Sequence, residues 1–179
     1  MSRAQAYRSK ALAALTNQIG VYALCDLDAQ PIYVGQSVDG IRNRVRRHLT
    51  SARSDVIANR QIDVWEIAFV WAWPVAEVAD VQPLEEAIFA HYDAQMSLMN
   101  GKSLTAAAPV DPWPERQHVQ VIEEADRQLR LDPAQRLPRQ IQQYNLLVDY
   151  ILTVKDATHL KRSLEAHFQR LVRYHETFL

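Results

Sequence analysis

The residues of this chain whose types and spacing suit chemistry are two tyrosines, an arginine and a histidine one helical turn apart, and a glutamate on an apolar helix face. They are Tyr22, Tyr33, Arg44, His48 and Glu85. Phosphodiester hydrolysis needs an activated water, neutralisation of charge gathering on the phosphoryl oxygens and help for the departing 3′ oxygen. A tyrosine serves as general base only if its pKa, near 10 in water, falls in the site. Arg44 can clamp a phosphate with its planar fork, and His48 can donate to a phosphate or shuttle a proton. Glu85, alone as a carboxylate, would hold one divalent cation that keeps most of its waters, as Mg²⁺ prefers.

The tyrosines sit on two short runs, 19–25 and 31–37, whose alternation and β-branched content read as strands. A four-residue loop, 26–29, makes them a hairpin with Cys25 opposite Gln30 and Tyr22 opposite Tyr33. The following helix, capped by Asp39, carries Ile41, Val45 and Leu49 on a narrow apolar stripe. At about 100° per residue Arg44 and His48 share one edge of that stripe and Arg42 and Arg46 the other. Arg42, Arg44, Arg46, Arg47 and Arg53 against a single acid, Asp39, form a local cationic ridge, so DNA binding is expected on Arg42, Arg46, Arg47 and Arg53.

Residues 63–73 read as a third strand, with Trp65, Ile67, Phe69, Trp71 and Trp73 on one face; the tryptophans are expected to be packing surface. A helix then runs from about Leu84, with Pro83 in its first turn. Leu84, Ile88, Phe89, Tyr92 and Met96 make its apolar arc, and Glu85 projects from the middle of that arc, whereas Glu86 and Asp93 point to the wet side. A carboxylate on an apolar face must be paired, neutralised or bound to a metal. This argument separates Glu85 from Glu86.

Two strands with matched tyrosines followed by a cationic helix resemble the GIY-YIG nuclease family, whose signature tripeptides stand here as Gly20-Val21-Tyr22 and Tyr33-Val34-Gly35. Both departures replace Ile by Val. The resemblance covers roughly residues 19–100 and implies a metal-dependent DNA endonuclease, with Mg²⁺ or Mn²⁺ as cofactor and DNA as partner. It places the family's Arg and His at Arg44 and His48, its metal-binding Glu at Glu85 and its Asn at Asn100, a hydrogen-bond partner near the carboxylate. It also implies that one of the two tyrosines is the base, without choosing between them. Gln36 stands where many members carry a Lys, so that role is absent or passes to the arginines.

The expected fold class is α+β: a small antiparallel or mixed sheet of about three strands flanked by helices, then an all-helical C-terminal region. The sequence divides into 1–105, an Ala/Pro-rich linker at 106–114, and 115–179. In the last part Val121, Ile122, Ala125 and Leu129 read as one helix, and Leu160, Leu164, Phe168, Leu171, His175 and Phe178 form a continuous stripe. That stripe is expected to pack on neighbouring helices, on a second copy as a homodimer, or on a partner protein. His159, His167 and His175 recur every eight residues, match no i,i+4 metal pair and read as packing or surface histidines.

A net charge of −1 at pH 7 excludes a polycation that packages DNA indiscriminately, so any nucleic-acid contact must be local. The single cysteine, Cys25, cannot form an intramolecular disulfide. No run approaches the roughly 20 apolar residues that span a bilayer. A cytoplasmic protein is expected. The alternatives to a nuclease are a non-cleaving nucleic-acid-binding domain on the same scaffold and a protein-interaction domain.

Overall fold

A computed structural model describes residues 2–50, 54–105 and 110–179. Arg53 and residues 106–109 of the linker lie outside them. The fold is α+β. Strands β1 (Gly20–Cys25), β2 (Pro31–Ser37), β3 (Phe69–Pro74) and β4 (Gln117–Gln120) form one antiparallel sheet in the order β2-β1-β3-β4.

Every residue of β1 is buried, because both faces of the sheet are covered. Tyr22, Leu24, Val70 and Ala72 face α1 (Arg3–Ala14), α2 (Ile41–Thr50) and α3 (Asp55–Ala58), which contribute Leu12, Ile41, Val45, Leu49 and Val56. Val21, Ala23, Val34, Trp71 and Trp73 face α4 (Val81–Asp93), which contributes Leu84, Ile88 and Phe89. The tryptophans of β3 are thus packing surface, as their alternation suggested.

The hairpin differs from its expected register. Tyr22 stands opposite Gly35, Tyr33 opposite Leu24 and Cys25 opposite Pro31, with a bulge between Leu24 and Cys25. The cause is Asp26. Its N–H donates to Gln30 O at 2.9 Å, and its Oδ1 accepts from the backbone N–H groups of Asp28 at 3.0 Å and Gln30 at 2.8 Å, which closes the turn. Pro31 has no N–H for the ladder. From Gly20 to Leu24 the slip is by two residues, which leaves Tyr22 and Tyr33 on their expected face.

The third strand is shorter than its pattern. Asp63 Oδ1 accepts from Trp65 N at 3.0 Å, and residues 64–66 turn before β3 begins at Phe69. The fourth strand was hidden in a short polar run. Beyond β4, Val121 and Ile122 precede the next helix rather than forming part of it and enter opposite faces of the sheet core. The helices are α5 (Glu124–Leu131), α6 (Pro133–Thr153) and α7 (Thr158–Phe178).

On α7 the buried side chains are Leu160, Ser163, Ala166, His167, Arg170 and Tyr174, whereas Phe168 of the expected stripe is 50% exposed and touches Tyr144. The buried face is polar because it meets polar partners. Arg170 donates to Asp26 Oδ2 at 3.1 Å and to Pro31 O at 2.9 Å. Arg136 of α6, wholly buried, donates to Glu66, to Asp28 at 2.7 Å and to Tyr174 Oη at 2.7 Å. Gln140 donates to the other Glu66 oxygen at 2.7 Å. Charges buried at this depth persist only when paired and hydrogen-bonded. Among the described residues, no helix is long and apolar enough to cross a membrane.

Candidate active site

The register puts the two tyrosines on one face and on a diagonal across β1 and β2, with ring centroids 6.3 Å apart. Gly35 makes this possible. A Cβ there would lie 2.6 Å from Tyr22 Oη and 2.9 Å from Tyr33 Cε1, so the second tripeptide ends in glycine because both rings close over it.

Helix α2 is fixed by its buried stripe and by its start: Ile41 N donates to Gln18 O at 3.0 Å, and Asn43 N to Asn17 Oδ1 at 3.1 Å. One edge of the helix then meets the tyrosines. His48 Nε2 is 2.8 Å from Tyr22 Oη, and its Nδ1 is 2.6 Å from Ser54 Oγ. Burial first, then Arg44 and Arg47, hold the His48 imidazole down at about 4, so the ring is neutral and passes one N–H along the Tyr22–His48–Ser54 chain. Ser54 was not singled out from the sequence. It precedes α3 as a capping serine would, but its hydroxyl makes no cap and turns to His48 instead.

Burial pushes both phenols up, Tyr22 the further; Tyr33 and Glu85 also raise Tyr22, Glu85 also raises Tyr33, and Arg44 pulls both back. Burial lowers Arg44, but Tyr22, Tyr33 and Asp55 raise it overall, and its buried Nε has no hydrogen-bond partner. The other edge of α2 divides. Arg46 and Arg47 are exposed, whereas half-buried Arg42 donates from Nε to Leu15 O at 2.6 Å and so anchors the end of α1.

Tyr33 also belongs to a cleft of about 330 Å³ that it lines together with Glu85, Asn100, Gln61, Lys102 and His159. Glu85 is half-buried, and burial followed by repulsion from Glu86 pushes its carboxyl up to about 7. Glu86 accepts from Gln82 at 2.9 Å on the helix surface. Asp93 is not on a wet face: it takes the Leu98 N–H at 2.8 Å and pairs with Arg162 at 2.7 Å.

Asn100 does not bond to the carboxylate. Its side chain pairs with the backbone of Val34, accepting from the N–H at 3.0 Å and donating to the carbonyl at 2.6 Å. The same residues that carry the two tripeptides, the cationic helix and the helix of Glu85 are those a known family describes. Residues 18–98 match the family model of the GIY-YIG catalytic domain. No curated protein and no solved structure matches the chain.

The matched stretch contains Tyr22, Tyr33, Arg44, His48 and Glu85, and the match suggests a nuclease-type activity on nucleic acid. The family is generally dependent on a divalent metal. Among the described residues no group of three or more His, Cys, Asp or Glu could enclose an ion. A lone, half-buried carboxylate with raised affinity for a proton fits a cation that takes its remaining ligands from water and phosphate, as Mg²⁺ does. Asn100, Lys102 and His159 lie beyond the matched residues.

Proposed function

We propose that this protein is a divalent-metal-dependent DNA endonuclease in which Tyr33 is the general base. One observation carries the reading: Tyr33 and Glu85 face the same cleft, and Tyr33 is the only one of the two phenols that lines it. Behind it stands Tyr22, fully buried and hydrogen-bonded to His48.

Glu85 is the residue that would hold Mg²⁺ or Mn²⁺. Such a cation supplies positive charge beside the phosphoryl oxygens and eases attack by water. Tyr33 takes the proton of the attacking water as its own passes toward Tyr22, and Tyr22 passes its proton to His48 Nε2 with Ser54 accepting from Nδ1. His48 is a poor acceptor because burial, and after it Arg44 and Arg47, disfavour its charged form. A bound phosphate neutralises those two arginines, so substrate itself improves the acceptor. Arg44 clamps the scissile phosphate, and exposed Arg46 and Arg47 hold the flanking backbone.

The test is incubation of the purified protein with supercoiled and linear DNA, with Mg²⁺, with Mn²⁺ and with chelator. Metal-dependent cutting that is lost in Tyr33→Phe and reduced in Tyr22→Phe is the expected result. Binding without cutting under every metal condition would favour the non-cleaving domain, and neither binding nor cutting would reject both.

A further inference from the structure

The cleft has a second wall that the GIY-YIG domain does not supply. Lys102 and His159 line it, the former exposed in the loop after Asn100 and the latter in the first turn of α7. Both follow residue 98, where the matched domain ends.

Helix α7 is fastened to this place by several bonds. Arg162 donates to Leu98 O at 2.6 Å and Asn100 O at 2.8 Å and pairs with Asp93. Ser163 Oγ donates to Met99 O at 2.9 Å and accepts from Gln61 Nε2 at 2.9 Å. His167 Nε2 lies 2.8 Å from Gln61 O. At Gly101 a Cβ would stand 2.9 Å from His159 Cβ and 3.3 Å from Gln61 Nε2, so the missing side chain lets the start of α7 close on the loop.

The chemistry of the two walls is complementary. Glu85 on one side is a carboxylate, which repels every phosphate not screened by a cation. Lys102, which lines the same cleft, is a point charge suited to a phosphate, and His159 adds a ring N–H donor. At about 30 Å³ per water, the cleft of about 330 Å³ holds roughly ten waters, room for a phosphate and a hydrated cation.

We propose that Lys102 and His159 bind the DNA-backbone phosphate next to the scissile one, which makes α7 part of the nuclease site. The proposal rests on the nuclease reading above. Contact with backbone rather than bases makes the effect independent of sequence.

The experiment uses the full-length chain. Binding of two duplexes of unrelated sequence is measured in chelator across a salt series, and steady-state cleavage is measured with Mg²⁺. Lys102→Ala should weaken both duplexes alike, by about eightfold at 0.1 M salt, and reduce the log–log salt slope by about 0.9, the counterion-release values for one phosphate. KM should rise with kcat little changed, and Lys102→Arg should restore binding. His159→Ala keeps the Cβ beside Gly101 and should raise KM without moving the unfolding midpoint. If the wild type binds and cuts while both alanine variants keep its salt slope and KM, the second wall is wrong and the nuclease reading stands. A loss of kcat alone, or a fall in unfolding midpoint that accounts for the lost binding, also overturns it. A wild type that neither binds nor cuts overturns both.

Discussion

Glu85→Gln keeps the shape of the side chain and removes its charge. In metal-free protein the carboxyl titrates near 7 rather than 4.5 because burial disfavours its ionised form. The folded chain therefore holds this proton more tightly than the unfolded chain, and the contribution to stability is complete below pH 4.5 and lost as pH rises through 7. At about 1.36 kcal/mol per pKa unit the full shift is worth about 3.4 kcal/mol at pH 8, and solvent reaching a half-buried group reduces this to about 1–2 kcal/mol. Glu85→Gln in chelator should be more stable than the wild type by that amount at pH 8, a rise in Tm of about 2–6 °C. At pH 5 the two should agree within about 0.5 kcal/mol. Mg²⁺ at pH 8 should raise the Tm of the wild type and not of the variant. Thermal unfolding at both pH values reads all of this, and a cleavage assay should show activity lost with DNA binding retained. A stability difference that is the same at pH 5 and pH 8, or a variant less stable at pH 8, would refute the reasoning.

Glu86→Ala, on the helix surface beside Gln82, should leave cleavage intact and change stability by no more than about 0.5 kcal/mol. Gly35→Ala drives a methyl into Tyr22 Oη and Tyr33 Cε1, and should abolish cleavage while the far-ultraviolet spectrum still reports a folded chain. Ser54→Ala leaves the buried His48 Nδ1 without its partner, and denaturant titration should show a loss of about 1–3 kcal/mol together with a lower kcat. Arg136→Met strands buried Glu66, and should cost about 3–5 kcal/mol in the same titration. A chain ending near Thr105 removes β4, Arg136 and Arg170 together, and limited proteolysis should find it unfolded rather than a free-standing nuclease.

Much of the site was legible because it depends on parity and on short spacings. Alternation placed Tyr22 and Tyr33 on one face even though the register was misjudged, since a slip of two conserves parity. The helix wheel separated Glu85 from Glu86 through local geometry alone. What stayed hidden depends on partners distant in sequence. Nothing near Asp26 announces that it will fold the hairpin turn while accepting from Arg170. On α7 the apolar stripe was read as the buried face, yet Ser163, His167 and Arg170 are buried because carbonyl and carboxylate acceptors await them. Gln117–Gln120 lacks the apolar alternation of a strand because it is the last and shortest of the sheet. His159 was read as a surface or packing histidine, and its place in the cleft depends on the way α7 returns to the loop after Asn100.

The pairing of Asn100 with Val34 bears on how the molecule avoids joining others of its kind. Strand β2 lies at the border of the sheet, and a bare border with free N–H and C=O groups recruits strands from neighbouring molecules. Met99 N donates to Ile32 O at 2.7 Å, and the Asn100 amide then offers Val34 one acceptor and one donor, as the next strand's backbone would. The segment thus acts as a one-residue false strand that stops the sheet from growing. Asn100→Ala would reopen the ladder beside Tyr33, and light scattering of concentrated protein should then report aggregation before any loss of secondary structure.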